Sequence, residues 1–446
     1  MTRVQLKTEI PGPRSRELVA HEQQHLAPGL QSFALWAGVA MDHGCGSYLT
    51  DVDDNTYVDM IGGIGVNALG HSHPKFVAAV QQQVARLSVG SFASQPRADL
   101  VNEVTALAPA GLDRLQLYSG GSEAVESAIR LARSYTKRTE IVGFWGGFHG
   151  KTAGAMGLMG SDARHGLGPF PSGTTQIPYA DCYRCPFDLQ YGSCGIACAE
   201  FARKAIKAQP QGPVAAVIVE PLQGTAGNLV PPREFLPIIA EATKEAGALF
   251  IADEMITGLG RTGTRWGVDH TGVTPDIMTL GKAFGGGFPV SGVLATDAIS
   301  RAEPWSKPSG ASSSYGGNAL AAAAALSAVR TIRDDRLWDN SADVGAFMLD
   351  ELRQMQEKYA FIGDVRGSGL FIGIDIVRDR KTKEPVPASV MRGVFESALH
   401  RGLLAMLYSP RVRLQPALTI SRDDAAEALG LLDETFAELA NSGRWQ

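Results

Sequence analysis

The feature that most constrains the fold of this chain is an alternation of short apolar runs with helical patterns between residues 75 and 325. Two of the runs, Val214–Val219 and residues 248–252, are too short to be buried helices and are typical of buried parallel strands. Such strands alternating with helices indicate an α/β fold. We therefore predict a large domain over residues 75–325, with a mostly parallel mixed sheet flanked by helices.

The two flanking regions have different patterns. Residues 1–74 indicate an N-terminal arm with a short helix near 14–25 and a β-hairpin over 46–60. After residue 325, a long amphipathic helical region (about 328–359) precedes a predicted strand over 367–376. We predict that residues 326–446 form a smaller α+β domain and that residues 1–74 contribute to it.

The composition narrows the classes of partner. The 446 residues carry a formal net charge of -5, which argues against nucleic acid or an anionic membrane as a main partner. The N-terminal sequence has no signal-peptide apolar region, and no stretch is long and apolar enough to span a bilayer. With five cysteines and no secretion signal, we expect a cytoplasmic protein.

Acidic residues follow two of the predicted strands directly. Glu220 comes after Val214–Val219, and Asp253 comes after the run at 248–252. In open α/β sheets, ligands bind at the carboxyl ends of the strands. A carboxylate at this position suits a cationic ring nitrogen, although a strand-end aspartate that caps the next turn is the simpler alternative.

Lys282 stands among small and apolar residues, with Gly281 before it and a glycine run at 285–287 behind it. Desolvation in such surroundings disfavours the charged amine and makes it a better nucleophile at neutral pH. A lysine of this kind is suited to Schiff-base chemistry with an aldehyde. The alternative is a lysine that merely follows a tight turn.

Residues 118–126 have the pattern of a strand end, a glycine turn and a helix start. We predict Ser122 as the N-cap and the backbone N–H groups of Gly121 and Ser122 as donors to a phosphate. Glu123 and Glu126 would repel that phosphate unless they point away from it. An ordinary capped helix is the alternative.

Four roles then converge on one cofactor. Pyridoxal phosphate needs an amine for its aldehyde, a carboxylate for its pyridinium nitrogen, an aromatic face for its ring and N–H donors for its phosphate. Lys282, Asp253 and Phe148 fill the first three roles, and Gly121 with Ser122 fills the fourth. His149 and Met255, next to these groups in the sequence, are further candidate cofactor contacts.

The order of these motifs resembles that of the class III (ω-amino acid type) aminotransferases, which belong to fold type I of the pyridoxal phosphate enzymes. The resemblance covers the stretches 62–74, 119–133, 147–150, 220–224, 253–263, 281–282 and 314–318. It implies a homodimer with a shared active site, in which Ser314 reaches the cofactor phosphate of the partner. It also implies that Ile64 and Glu220 lie on the substrate side, and that an amino group passes from an amino donor to a carbonyl acceptor by a ping-pong mechanism.

Two positions depart from the family members that act on γ-aminobutyrate and ornithine. Those members carry a glutamate that gates a substrate-binding arginine; here Thr225 replaces the glutamate, whereas Arg413 matches the arginine and is expected to hold a carboxylate. Ile256 replaces a glutamine that contacts the phenolic oxygen of the cofactor. Both departures favour a larger or non-acidic amine, as in relatives that aminate aminoglycoside sugars. A 4-aminobutyrate or other ω-amino acid transaminase, an amino acid racemase or epimerase, and a dialkylglycine-type decarboxylase remain alternatives.

A cysteine-rich loop lies outside these motifs. Cys182, Cys185, Cys194 and Cys198 have the spacing Cys-x2-Cys and Cys-x3-Cys, and four thiolates so spaced can bind Zn²⁺ tetrahedrally. We predict a structural rather than a catalytic zinc site here. Disulfides and unbridged thiols are the alternatives.

Overall fold

The computed structural model describes residues 3–208 and 210–446, and it divides the chain into two units. Met1–His73 and Asp339–Gln446 form the first unit, and Pro74–Trp338 forms the second. The strands are β1 (Met41–Cys45), β2 (Tyr48–Asp51), β3 (Thr56–Asp59), β4 (Arg114–Tyr118), β5 (Glu140–Phe144), β6 (Thr174–Ile177), β7 (Val214–Val219), β8 (Leu249–Asp253), β9 (Ile277–Leu280), β10 (Ser291–Ala295), β11 (Ile362–Ser368), β12 (Phe371–Ile376), β13 (Leu403–Leu404) and β14 (Arg411–Leu414).

The α-helices are α1 (Pro13–Gln23), α2 (Ser32–Ala37), α3 (Gly62–Gly65), α4 (Pro74–Val84), α5 (Gln95–Leu107), α6 (Gly121–Thr136), α7 (Ala153–Gly157), α8 (Ala197–Ala208), α9 (Phe235–Glu245), α10 (Asp297–Ser300), α11 (Ala319–Asp334), α12 (Leu337–Lys358), α13 (Ala388–Leu399) and α14 (Arg422–Ser442). Short 3-10 helices occur at Asp162–Arg164, Gly267–His270 and Lys282–Gly285.

The second unit is organised by one mixed sheet. Within the described ranges, seven strands pair in the order β4-β10-β9-β8-β7-β5-β6. The pairs from β9 through β8, β7 and β5 to β6 are parallel, whereas β10 runs antiparallel to β9 and β4. Every residue of β7, β8 and β9 is buried, and α6 packs on these strands. The predicted α/β fold with a mostly parallel sheet is therefore confirmed.

This sheet determines where the functional side chains meet. The strands β5, β7, β8 and β9 all point the same way, so their carboxyl ends open on one side of the sheet. We call that side the carboxyl edge. The residues that directly follow these strands are thereby brought close together, although they are far apart in the sequence.

The large unit extends further than residues 75–325. It ends at Trp338, because α11 passes through residue 325 without a break and packs against α4 and α5 of the same unit. The helical region predicted over 328–359 is also divided. Helix α11 ends at Asp334, α12 begins at Leu337, and Arg336 between them has a φ of 48°.

The first unit combines helices with two small sheets. In the part of this unit that the structure describes, the strand orders are β1-β2-β3-β13 and β11-β12-β14. The predicted hairpin is present as β2 and β3. The strand predicted over 367–376 is present only in part: residues 371–376 form β12, whereas Gly369, with a φ of 56°, lies in a turn between the antiparallel strands β11 and β12.

None of the helices in the described ranges is both long enough and apolar enough to cross a membrane.

Candidate active site

Asp253 is the last residue of β8 and is only 1% exposed at the carboxyl edge. Its Oδ1 atom accepts hydrogen bonds from Thr279 Oγ1 at 2.9 Å and from the backbone N–H of Met255 at 3.1 Å. Its Oδ2 atom accepts a hydrogen bond from His149 Nδ1 at 2.6 Å. Donors from three different segments therefore fix the orientation of this carboxylate.

Asp253 and His149 shift each other's titration. Burial alone would raise the pKa of the Asp253 carboxyl, but the hydrogen bond and charge of His149, together with the charge of Lys282, lower it. Burial alone would lower the pKa of His149, but Asp253, helped by Glu220, raises it. The pair therefore favours an anionic Asp253 beside a cationic His149.

Lys282 lies just after β9 with a backbone φ of 48°. This left-handed conformation is uncommon for a residue with a side chain, and such strain concentrates at functional sites. Lys282 is half-buried, and its charge helps to lower the pKa of Asp253. The amine predicted as the nucleophile is thus at the carboxyl edge, within electrostatic reach of the predicted carboxylate.

The amino end of α6 lies at the same edge. A Cβ atom on Gly150 would lie 2.2 Å from Ser122 Oγ, so the loop after β5 approaches α6 as closely as glycine permits. Ser122 Oγ also accepts a hydrogen bond from the backbone N–H of Lys151 at 3.2 Å. The N–H groups of the first helical turn have no partner within the helix, which makes them donors for an anion.

Ser122 is not the N-cap of α6. The helix begins at Gly121 and its N-cap is Gly120, because Glu123 reaches back to accept the backbone N–H of Gly120 at 2.8 Å and of Ser119 at 3.0 Å. A serine at the second helical position cannot occupy the cap.

The two acidic residues of α6 are directed to local donors. Glu123 accepts the N–H groups that precede the helix, and Glu126 accepts Thr152 Oγ1 at 2.6 Å and the backbone N–H of Ala155 at 3.0 Å. Both carboxylates are therefore bound to these donors and not to the backbone N–H groups of Gly121 and Ser122, which are the proposed phosphate donors.

Met255 packs between the two glycine turns of the site. A Cβ atom on Gly281 would lie 2.3 Å from the Met255 Sδ atom, and one on Gly121 would lie 3.0 Å from it. The thioether therefore joins the turn before Lys282 to the start of α6. A side chain at residue 281 would therefore displace the end of the Met255 side chain.

Glu220 follows β7 and is buried. Its Oε1 atom accepts the backbone N–H of Phe148 at 2.9 Å, and its Oε2 atom accepts the backbone N–H of Gly224 at 3.1 Å. Burial raises the pKa of this carboxyl despite the nearby charge of His149. Both oxygens bind the protein backbone, and the expectation that Glu220 lies on the substrate side stays a prediction.

Known proteins resemble this chain along most of its length. The family described as Aminotransferase class-III matches residues 34–436. The chain belongs to the class-III aminotransferases.

Individual relatives of this aminotransferase differ in the reactions that their names describe. The chain is 34% identical to a leucine/methionine racemase of Thermococcus litoralis, over 87% of its own length and 88% of the relative's. It is also 34% identical to a 5-aminovalerate aminotransferase of Pseudomonas putida, over 90% and 94% of the two lengths. An amine transaminase of an uncultivated Pseudomonas species, solved in its PLP-bound form, superimposes with a TM-score of 0.86 at 30% identity, covering 93% of this chain and 98% of that one.

Class-III aminotransferases depend on pyridoxal 5'-phosphate, and the aminotransferase site described above fits that cofactor. An ionised carboxylate offers about four lone-pair positions. Hydrogen bonds from His149, Thr279 and Met255 occupy three of those on Asp253. With respect to the described residues, this leaves one acceptor position for a protonated ring nitrogen, and the low pKa of Asp253 keeps the carboxylate charged to receive it.

The pairing partners in this aminotransferase site were not predicted from its sequence. Thr279 and the His149–Asp253 hydrogen bond depend on β5, β8 and β9 lying in one sheet. Thr279 precedes Lys282 by three residues in a strand that pairs with β8, and this spacing is the signal that could have identified it. Phe148 is half-buried in the loop that contains His149, and its contact with the cofactor ring stays a prediction.

Three other predicted residues of the second unit lie in different environments. Thr225 is exposed in the loop that begins at Gly224, and Ser314 is exposed ahead of α11. Ile256 is buried, and its Cδ1 atom would lie 3.2 Å from a Cβ atom on Gly224. The apolar side chain of Ile256 is therefore packed directly against the loop that contains Thr225.

The remaining substrate residues lie in the first unit. Ile64 has a φ of 65°, a rare conformation for a β-branched residue. Arg413 is 7% exposed, donates a hydrogen bond to the Tyr408 hydroxyl and has its guanidinium carbon 5.9 Å from the centroid of the Tyr408 ring. Tyr408 thus holds this guanidinium in place within the unit.

The cysteine-rich loop is brought together without forming a recognisable metal centre. Its four cysteines, which are free thiols, line one small cavity: Cys182, Cys185, Cys194 and Cys198. Burial and the neighbouring thiols raise the pKa of Cys182 to about 12, and burial raises that of Cys198 to about 11. No group of three or more His, Cys, Asp or Glu side chains in residues 3–208 and 210–446 is arranged to hold a metal ion. The zinc site stays a prediction that this geometry does not support.

Proposed function

We propose that the chain is a transaminase that moves an amino group from an amino donor, such as glutamate or another amine, to an aldehyde or keto acceptor in two successive half-reactions. The observation that carries this proposal is the strained, half-buried Lys282 within electrostatic reach of the buried Asp253–His149 pair. When bound, pyridoxal phosphate supplies a conjugated ring that takes up the electron pair of the substrate C–H bond. The residues of the chain provide the binding, the charge and the proton movement.

Lys282 has two successive roles in the proposed reaction. Its amine would hold the cofactor aldehyde until a substrate amine replaces it. Once released, the amine of Lys282 would act as a general base that takes the proton from the substrate carbon and delivers it to the cofactor, and in the second half-reaction it would move a proton in the reverse direction, onto the carbon of the acceptor. Lys282 is half-buried at the carboxyl edge, within electrostatic reach of Asp253, and this position supports the role.

Asp253 would maintain the positive charge on the ring nitrogen. Its carboxylate is buried, anionic and fixed by three donors, so it need not reorganise when charge changes on the ring. The N–H groups of Gly121 and Ser122 would hold the phosphate at the amino end of α6. Phe148 would cover one face of the ring.

The presence of Arg413 favours a substrate that carries a carboxylate. Its guanidinium is oriented by Tyr408 and offers the planar donors that bind a carboxylate in bidentate fashion. Thr225 cannot neutralise Arg413 as a gating glutamate would, so a carboxylate-free acceptor must be accommodated differently. An ω-amino acid such as 4-aminobutyrate therefore remains a candidate donor, and an aminoglycoside sugar remains a candidate acceptor.

A homodimer with shared active sites is part of this proposal. Large apolar side chains are exposed in the second unit, with Phe92 88% exposed and Tyr315 63% exposed. Such surfaces commonly mark protein–protein contacts. Ser314, next to Tyr315 and also exposed, would reach the cofactor phosphate of the second subunit. We place the enzyme in the cytoplasm, where its free cysteines would stay reduced.

A second candidate function is amino acid racemisation or epimerisation. The 34% identity to a leucine/methionine racemase favours it. Here Lys282 would remove the proton from the substrate carbon, and the proton would return to the opposite face of the same carbon. The cofactor would then end each cycle unchanged, without an amine-accepting half-reaction.

An amine panel distinguishes these functions. The holoenzyme would be mixed with glutamate, 5-aminovalerate, 4-aminobutyrate, leucine, diamines and amino sugars, and the absorbance of its cofactor followed before and after a 2-oxo acid is added. Transamination predicts loss of the initial absorbance with a donor and its return with the acceptor. Inversion of leucine on chiral chromatography, with no keto product, would replace transamination by racemisation. If none of these amines changed the absorbance of the cofactor and leucine were not inverted, both functions would be ruled out.

A further inference from the structure

Glu220 is the one buried carboxylate at the carboxyl edge whose two oxygens bind backbone groups of two different loops, as far as the described residues show. One loop, residues 145–150, contains Phe148 and His149. The other, residues 223–229, contains Thr225. Neither loop is joined to the other by regular strand pairing, so their relative position depends on side chains such as Glu220.

The loop at residues 223–229 is closed at its base. Gln223 and Leu229 exchange backbone hydrogen bonds of 3.1 and 2.8 Å, and the carbonyl of Gly224 accepts the N–H groups of Gly227 and Asn228 at 3.0 Å. A closed loop of this kind moves as a unit. Whatever holds Gly224 therefore also holds Thr225.

A second contact joins the same two loops. Gln223 Nε2 donates to the carbonyl of Trp145 at 2.9 Å. A Cβ atom on Gly146 would lie 3.0 Å from that of Ala226, so the Ala226 side chain lies close to the backbone of Gly146. The loops are thus tied by Glu220 at one place and by Gln223 at another.

The backbone that carries Glu220 is itself fixed. The Tyr179 hydroxyl is 3.1 Å from the carbonyl oxygens of both Glu220 and Pro221. Glu220 directly follows β7, and every residue of that strand is buried. Its carboxylate therefore binds both loops from a backbone that a buried strand and the Tyr179 hydroxyl hold in place.

We infer that Glu220 is a positioning residue whose carboxylate couples the substrate loop at Thr225 to the placement of Phe148 and His149. The inference rests on the proposed function, because it gives the two loops their roles at substrate and cofactor. A movement of the Thr225 loop would shift the Glu220 carboxylate and, through its bond to the Phe148 N–H, the loop that contains Phe148 and His149. It would thereby change the position of the Phe148 ring and the geometry of the His149–Asp253 hydrogen bond. One side chain then links the binding of substrate to the charge that Asp253 would maintain on the cofactor ring nitrogen.

Glu220→Gln tests the coupling with little change in shape. The variant keeps one acceptor oxygen but turns an NH2 group toward one of the two backbone donors, so one loop is released. Asp276→Asn is the matched control. Asp276 is a half-buried carboxylate at the amino end of β9, away from the carboxyl edge, and its Oδ2 atom accepts the N–H of Phe250 at 2.8 Å.

Three properties would be measured on each holoenzyme: the rate and KM of the amine half-reaction, the absorbance maximum of the cofactor, and hydrogen exchange in the peptides that contain Phe148 and Gly224. For Glu220→Gln we expect a rate about tenfold to a hundredfold lower at saturating amine, a raised KM, a shifted maximum and faster exchange in both peptides. For Asp276→Asn we expect faster exchange only near Phe250. A Glu220→Gln enzyme that matches the control in rate and absorbance would overturn the inference.

Gln223→Met provides a second test if Glu220→Gln does not fold. It removes only the bond to Trp145 and should raise exchange in both loops with a smaller loss of rate; exchange that rises in one loop alone would contradict the coupling. If none of the tested amines reacts with the wild-type holoenzyme, the proposed function fails. The exchange data would still decide whether Glu220 and Gln223 tie the two loops together.

Discussion

The carboxyl edge and the cysteine-rich loop both bring reactive side chains together, but in different ways. At the carboxyl edge, buried parallel strands deliver Asp253 and Lys282, and each carboxylate oxygen of Asp253 has defined donors. In the cysteine-rich loop, four thiols line one cavity, yet no three ligands converge within the described ranges. Close sequence spacing thus collects side chains, whereas a sheet with fixed register also orients them.

The largest expected effect is at Lys282. Lys282→Ala should lower turnover by about a thousandfold or more, because it would remove both the amine that we propose holds the cofactor and the proposed general base. Steady-state turnover of the reconstituted enzyme measures it. Lys307→Ala is the control, since Lys307 is an exposed lysine paired with Glu303. Near-normal turnover of Lys282→Ala would show that the catalytic site is not at the carboxyl edge.

The next effect is at Asp253. Asp253→Asn keeps the size of the side chain but removes the charge that raises the pKa of His149 and that would hold the ring nitrogen protonated. We expect turnover to fall on the order of a hundredfold, with the pKa of His149 reduced. Kinetics and NMR titration of His149 report the two changes separately. An unchanged His149 titration would show that the pair is not coupled.

Much of this site follows from the sequence, for a physical reason. Apolar runs predict buried strands, and parallel strands predict a shared edge, so the placement of Asp253 and Lys282 at one edge could be predicted from local pattern. The His149–Asp253 bond could not, because it depends on which strands are neighbours. The predicted cap at Ser122 failed because Glu123, three residues beyond Gly120, reaches back to the preceding N–H groups.

A smaller effect at the carboxyl edge separates burial from function. Glu254 follows Asp253, but its oxygens accept Thr257 Oγ1 and the N–H groups of Gly267 and Val268, so it stabilises a loop. Burial raises the pKa of Glu254 to about 7. Because the folded state then holds a proton that the unfolded state has lost, stability falls as pH rises from about 4.5 to 7, by about 3 kcal/mol.

Thermal unfolding of the wild type and Glu254→Gln at several pH values measures this contribution. The variant lacks the titrating group, so the midpoint of the wild type relative to the variant should decrease between pH 5 and pH 8. A constant difference across that range would show that Glu254 is ionised in both states. The contribution of Asp253 to stability has the opposite pH dependence. Because its pKa is lowered in the folded state, that contribution is lost as the pH falls and the carboxylate is protonated.

The smallest effect is expected in the cysteine-rich loop. Cys182→Ser with Cys185→Ser should change turnover by less than about twofold, because neither thiol belongs to the carboxyl edge and surface changes rarely exceed ~0.5 kcal/mol. Metal analysis and thiol titration of the wild type test the zinc prediction. One zinc per chain would confirm it; free thiols in a metal-free protein would contradict it. A large loss of turnover would end the contrast between the two regions.

The most direct test of the central claim is to find the residue that holds the cofactor. The holoenzyme would be reduced with borohydride, digested and analysed by mass spectrometry. We expect a phosphopyridoxyl group on Lys282, in the peptide that follows β9, and its absence after an amine donor has been added. A modified lysine elsewhere, or no modification of a protein that contains bound cofactor, would contradict the assignment of Lys282.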